Sequence, residues 1–331
     1  MLGLIISTPV IADNDIATGN DLNKQLRLAV SADNLETVKN LLDRDDIDIN
    51  AENEFGKGPL MIAVEGGNLE LVSLLLNQGA DVNARTVAGA TPLTFAAENG
   101  QIEITALLLE RGANIHDRTR AGWDSLMVAA RYGITQMVEQ LLFKKADVKA
   151  SDRKGRTALM HAVLKGHTQV VERLIDAGAE LESRNALGAT PLALATDWGR
   201  IDVVQMLLNS GANIEAKDGY GATPLIAAAA RGYKPIARLL LTRGANANAY
   251  DDDGYTALME AAFAGDANMV DLLLYPTDPG FRFFNCRRFG NFRSIKNATE
   301  ARSNRVRERT AYKHSCSRRK PHNSGCRALG V

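Results

Sequence analysis

Apolar and polar positions along the chain recur every 33 residues. Leu42, Leu75, Leu108, Leu141, Leu174, Leu207, Leu240 and Leu273 share one register, and Ala63, Ala96, Ala129, Ala162, Ala195, Ala228 and Ala261 share a second. Two glycine registers, Gly56 to Gly254 and Gly67 to Gly265, keep the same step. Chance does not hold four registers together through seven units, so one repeat array is expected rather than the two domains that 331 residues would suggest at about 150 each. Within a unit the residues dictate local structure. In Gly188-Ala189-Thr190-Pro191-Leu192 the glycine permits a tight turn, Thr190 is placed to cap a helix, and Pro191 stands at the first helical position. This predicts a helix over Pro191–Trp198 that stops at Gly199, then a second over Ile201–Asn209 carrying Val203, Val204, Leu207 and Leu208 at helical spacing. Helices this short are marginal alone, so neighbouring units must stack and share a core.

Thr91-Pro92-Leu93 with Leu108-Leu109 and Gly112-Ala113, and Thr223-Pro224-Leu225 with Leu240-Leu241 and Gly244-Ala245, resemble the ankyrin repeat family. The resemblance covers residues 21–274 in eight units. It implies an all-α solenoid of stacked helix pairs with short β-hairpin loops, and a concave face lined by hairpin tips and the exposed ends of the first helices. The first unit, Asp21–Ile49, lacks the Gly-x-Thr-Pro turn and is rich in charge, as suits a capping unit that meets water on one side. Unit four departs most: Asp124-Ser125 replaces Thr-Pro, and Lys145 replaces a loop glycine.

Charge divides the chain. The totals balance at 39 basic and 39 acidic residues, but 25 basic and 36 acidic precede Pro276, while 14 basic and 3 acidic follow. Cys286, Cys316 and Cys326 all lie in that basic segment, so no disulfide framework holds the array. No apolar run approaches the ~20 residues of a membrane span. Met1–Ala12 is apolar, with Val10-Ile11-Ala12 as a candidate cleavage site. It is read as the remnant of a signal peptide whose basic start is missing, which favours a periplasmic or secreted location over a cytoplasmic one. After Leu274 the period is lost in mid-unit, with Thr277 and Arg287 where glycines are due. Residues 276–331 are therefore expected to form a basic, disordered tail, and an altered reading frame accounts for them better than a nucleic-acid arm. The division is 1–12, an ankyrin-repeat domain over 13–275 (capping unit plus seven repeats), and 276–331.

Nothing in the pattern supports an enzyme, a metal or a cofactor. His161 and His167 stand across a helix end without zinc-ligand company. His161, in register with Phe95, Val128 and Leu194, is expected to be half-buried packing, and His116 a loop hydrogen-bonder. Asp251-Asp252-Asp253-Gly254 lacks the alternating ligands of a calcium loop. Function falls instead to the variable registers, where scarce aromatics and arginines collect. Arg120, Trp123, Arg131, Tyr132, Arg153, Lys154 and Arg156, with Trp198 at the edge, are the expected partner-binding residues. The expected ligand is a protein, with an acidic segment to match the basic patch; the alternative is nucleic-acid association through the basic tail.

Overall fold

A computed structural model describes residues 22–274; the candidate signal remnant and the basic tail lie outside the described residues. The described residues run through eight helix pairs: α1 (Leu22–Ser31) and α2 (Leu35–Leu42), α3 (Pro59–Gly66) and α4 (Leu69–Asn77), α5 (Pro92–Asn99) and α6 (Ile102–Glu110), α7 (Ser125–Tyr132) and α8 (Thr135–Phe143), α9 (Ala158–Lys165) and α10 (Thr168–Asp176), α11 (Pro191–Asp197) and α12 (Ile201–Asn209), α13 (Pro224–Arg231) and α14 (Lys234–Thr242), α15 (Ala257–Phe263) and α16 (Ala267–Leu274). First helices pack in an unbroken row from α1 to α15, and second helices in a parallel row from α4 to α16. The repeated alanine is why the first row packs closely. Ala63, Ala96, Ala129, Ala162, Ala195, Ala228 and Ala261 are all buried, and a larger side chain there would hold the helices apart.

Side-chain caps fix the starts of the first helices from α5 to α15. Thr91, Thr157, Thr190, Thr223 and Thr256 each accept a hydrogen bond from the third helical N–H, and Asp124 does the same from Met127 N at 2.8 Å. The expected helix Pro191–Trp198 ends one residue early, with Trp198 as its cap residue. Lys145 occupies the left-handed region at φ 69, in register with Gly112 and Gly178 at φ 90 and 86. Because nothing lies within 4 Å of those glycines' missing Cβ, the penalty for lysine is one of backbone alone, about 1 kcal/mol.

Between pairs the chain turns through seven fingers: Asn53–Lys57, Thr86–Ala90, Thr119–Trp123, Asp152–Arg156, Asn185–Ala189, Asp218–Ala222 and Asp251–Tyr255. Each is closed by a backbone bond from the N–H of its first residue to the carbonyl of its last. Among the described residues the fingers form no strand, only the isolated bridges Ser151–Thr157 and Tyr250–Thr256. The hairpin loops are thus tight turns rather than sheet. Successive fingers are tied through Val87 N to Phe55 O, Arg120 N to Ala88 O, Arg153 N to Ala121 O, Ala186 N to Lys154 O, Gly219 N to Leu187 O and Asp252 N to Tyr220 O. These bonds set the spacing of whatever the finger tips carry.

The buried apolar side chains form two clusters, one over units one to three and one that begins at Ala97 in unit three and runs through the later units, with Ile115 packed against both. Around unit three, Gln101 Oε1, Thr105 Oγ1 and, on α8, Gln140 Oε1 are buried with no partner among the described residues.

Candidate functional site

The fingers carry a register that the glycine and leucine periods conceal. Asn53, Thr86, Thr119, Asp152, Asn185, Asp218 and Asp251 all present a side-chain oxygen to the N–H four residues on, and the Asn and Asp members also to the N–H two residues on. One oxygen is enough for this turn, since threonine performs the essential bond at two positions. Aspartate therefore brings a second oxygen that the turn does not need.

At Asp152 the second oxygen is fully engaged. Oδ2 accepts from Trp123 Nε1 at 3.0 Å, from Arg156 Nε at 3.0 Å and Nη2 at 2.9 Å, and from His161 Nε2 at 3.2 Å. Asp152 is buried, and so are Arg156 and His161; the imidazole is 0% exposed. Because a carboxylate can only accept, His161 carries its proton on Nε2, which leaves Nδ1 a buried acceptor without a partner among the described residues. The Trp123 ring meets His161 edge-on at 4.9 Å between centroids, and Arg131 lies over its face at 5.0 Å. Guanidinium on an aromatic face adds about 0.5–1 kcal/mol at such a partly exposed position.

This network lowers the carboxyl and the imidazole alike, for different reasons. Burial alone would raise the Asp152 carboxyl, but the bonds from His161 and the Arg156 N–H, with the Arg156 charge, hold it well below the usual carboxylate range. Burial pushes His161 down; the bond to Asp152 opposes this, and the charges of Arg156 and Arg131 add to it. His167, whose Nε2 donates to the Arg131 carbonyl at 3.1 Å, is likewise lowered by burial. Both histidines bind a proton more readily in the unfolded chain, so their contribution to stability is complete above about pH 6.5 and declines as the pH falls below it. Urea unfolding should show a lower midpoint at pH 5 than at pH 7.5. His161→Leu, which borrows the residue at Leu194, should shrink that difference; an unchanged difference would mean that His161 is not buried as a neutral ring.

The expected binding residues sort into three groups. Arg120, Arg153 and Lys154 are exposed on adjacent finger tips, and Arg120 N and Arg153 N are each held by the preceding finger. Trp123, Arg131 and Trp198 are half-buried, both tryptophans packing against the core, and Tyr132 is 44% exposed with its hydroxyl donating to Glu98 Oε1 at 2.6 Å. Arg156 departs from the expectation. Its side chain is only 6% exposed, turned inward by the Asp152 carboxylate, and it offers no charge to a partner. His161 departs too, being fully buried and hydrogen-bonded rather than half-buried packing. His116 uses its backbone N–H, which donates to Asn114 Oδ1 at 3.1 Å. Asp152 was hidden because its repeat neighbours Thr119 and Asn185 differ in type; the signal that finds it is an oxygen-bearing side chain three residues before every finger glycine. Among the described residues no group of three or more His, Cys, Asp or Glu could hold a metal ion, and no helix is long and apolar enough to cross a membrane.

Stacked helix pairs joined by tied fingers define a repeat protein assembled from successive units. The family described as ankyrin repeats (3 copies) matches residues 26–119, 126–218 and 213–282. The chain belongs to the ankyrin repeat family. It is also similar to an ankyrin repeat protein of Rickettsia bellii (strain RML369-C), 36% identical over 84 residues, which cover 24% of this chain and 48% of that relative. The match thus spans about half of the relative's length. Ankyrin repeats generally mediate protein–protein interaction and are typically not enzymes.

Proposed function

We propose that this array binds a protein partner through the finger face of units four and five, and that an acidic segment of the partner meets Arg120, Arg153 and Lys154. One observation carries this reading. The three side chains are exposed cations with no side-chain hydrogen bond or ion pair among the described residues, on two tied fingers. Their surroundings point the same way, because the sequence before Pro276 is net acidic and an isolated basic patch within it steers an anionic segment to one place. Arg131 and Trp123 beside it supply a cation and an aromatic face of the kind that anchors interfaces.

The chain has two tryptophans and hence two indole N–H signals in a ¹⁵N-edited spectrum, so binding near Trp123 can be told from binding elsewhere. Titrating poly-L-glutamate into the full chain should shift the Trp123 indole and the backbone amides of Arg120 and Arg153 in a saturable way. The variant Arg120→Glu/Arg153→Glu/Lys154→Glu should lose at least about tenfold in apparent affinity at these signals, roughly 1.4 kcal/mol. An equal response from the variant, or a stronger response of the same signals to duplex DNA, would overturn the reading.

A further inference from the structure

Asp152 does more than its turn requires, and the same chain supplies the controls. Units six and two build the finger with Asn185 and Asn53, and units three and four with Thr86 and Thr119. A carboxylate at 152 is therefore not needed for the fold of its finger. Nor is burying one there free of penalty, since an ion pair withdrawn from water recovers its desolvation only with good geometry and full hydrogen bonding. What the extra oxygen gains is a grip on the preceding unit: Trp123 lies 29 residues upstream, and its indole N–H ends on Oδ2. Through that ring the carboxylate also reaches Arg131, whose guanidinium lies over the indole face at 5.0 Å.

The neighbouring registers agree. Trp123 and Arg156 are equivalent positions in successive units, and both converge on the one oxygen. Units three, six and seven place Ala90, Ala189 and Ala222 at this position, so small residues satisfy the stack and the large ones serve something else. The first oxygen meanwhile fixes Lys154 N at 2.8 Å and Arg156 N at 2.9 Å, which sets the finger that displays Arg153 and Lys154.

We infer that Asp152 is the positioning residue of the binding face: one oxygen shapes the finger that presents Arg153 and Lys154, while the other locks the Trp123 ring, and Arg131 upon it, into the orientation an acidic polypeptide meets. This rests on the binding face proposed above. The carboxylate itself touches no partner, because it is buried beneath the residues it orients.

The test copies a pair that already exists in the chain. Asp152→Asn/Arg156→Ala reproduces Asn185 with Ala189, so it keeps the finger turn and leaves no buried unpaired cation. Asparagine can still accept from the two backbone N–H groups, but its amide nitrogen cannot accept from the indole. In the full chain this double variant should retain wild-type helicity. Solvent exchange of the Trp123 indole N–H should become at least about tenfold faster, and the apparent affinity for poly-L-glutamate at that signal should fall about fivefold. Arg156→Ala alone keeps the indole on Asp152 and should leave both values within about twofold of wild type. Asp251→Asn, the same turn without a tryptophan, should do likewise. A wild-type Trp123 indole that exchanges as fast as free indole overturns the inference directly. So does a double variant that releases the indole yet binds as wild type while charge reversal at Arg120, Arg153 and Lys154 still abolishes binding; the face would then stand without Asp152 as its organiser. If charge reversal has no effect, the binding face itself falls, and the positioning role with it.

Discussion

Replacing Trp123 by alanine will lower the stability of the array by about 3 kcal/mol, the lower end of the range for truncating a packed tryptophan. The ring is half-buried, packs against the larger core cluster, touches His161 at 4.9 Å and donates to the buried Asp152 carboxylate. Losing a bond to a charged acceptor accounts for about 1.5–3 kcal/mol, and the cavity supplies the remainder. Tyr132→Ala is the matched control. Its ring is exposed and its bond to Glu98 lies at the surface, so its loss should stay under about 1 kcal/mol. Urea unfolding of both variants measures the difference, and equal small losses would mean that Trp123 is not held as described. The consequence for function is practical. Trp123→Ala mixes a folding defect with any loss of recognition, whereas the charge variants at the exposed finger tips do not.

Gly188→Ala should lose about 3 kcal/mol, against about 1 kcal/mol for Gly178→Ala. Both glycines are left-handed, at φ 69 and 86, so both alanines bear the backbone penalty of about 1 kcal/mol or slightly more. Only at 188 is there also a collision. A Cβ there would stand 2.7 Å from Gly219 N and 2.8 Å from Gly219 Cα, and that backbone cannot withdraw without breaking its bond to Leu187 O at 2.9 Å. Forcing atoms into a full space adds about 1–3 kcal/mol. At Gly178 nothing lies within 4 Å. Thermal unfolding midpoints of the two variants should separate clearly. Equal shifts would show that adjacent fingers are looser than their bonds imply.

Much of this architecture was legible in the residues because it follows from local chemistry repeated at a fixed step. Thr190 and Pro191 start α11, Asp124 caps α7 in place of threonine, and Lys145 adopts the left-handed turn that its register demands. These effects span four residues or fewer, so a sequence window contains both partners. The proposed binding residues were legible only as positions. The register of Trp123 and Arg156 showed that each follows a finger glycine, but not which way each side chain turns.

That direction depends on partners 29 residues away in the case of Trp123, and on burial for Arg156. Both are set by which oxygen the next finger provides once the units have stacked. Arg153 and Lys154 meet water while Arg156, two residues on, does not, because Asp152 takes its charge inward. His161 likewise reads as one more apolar-register residue until Asp152 is placed against it. The sequence by itself determined the repeat, its helices, its caps and its turns, all of which rest on contacts within a few residues. Only the tertiary structure decided which of the charged and aromatic side chains remain for a partner, because a side chain faces solvent only when no neighbouring unit has already engaged it.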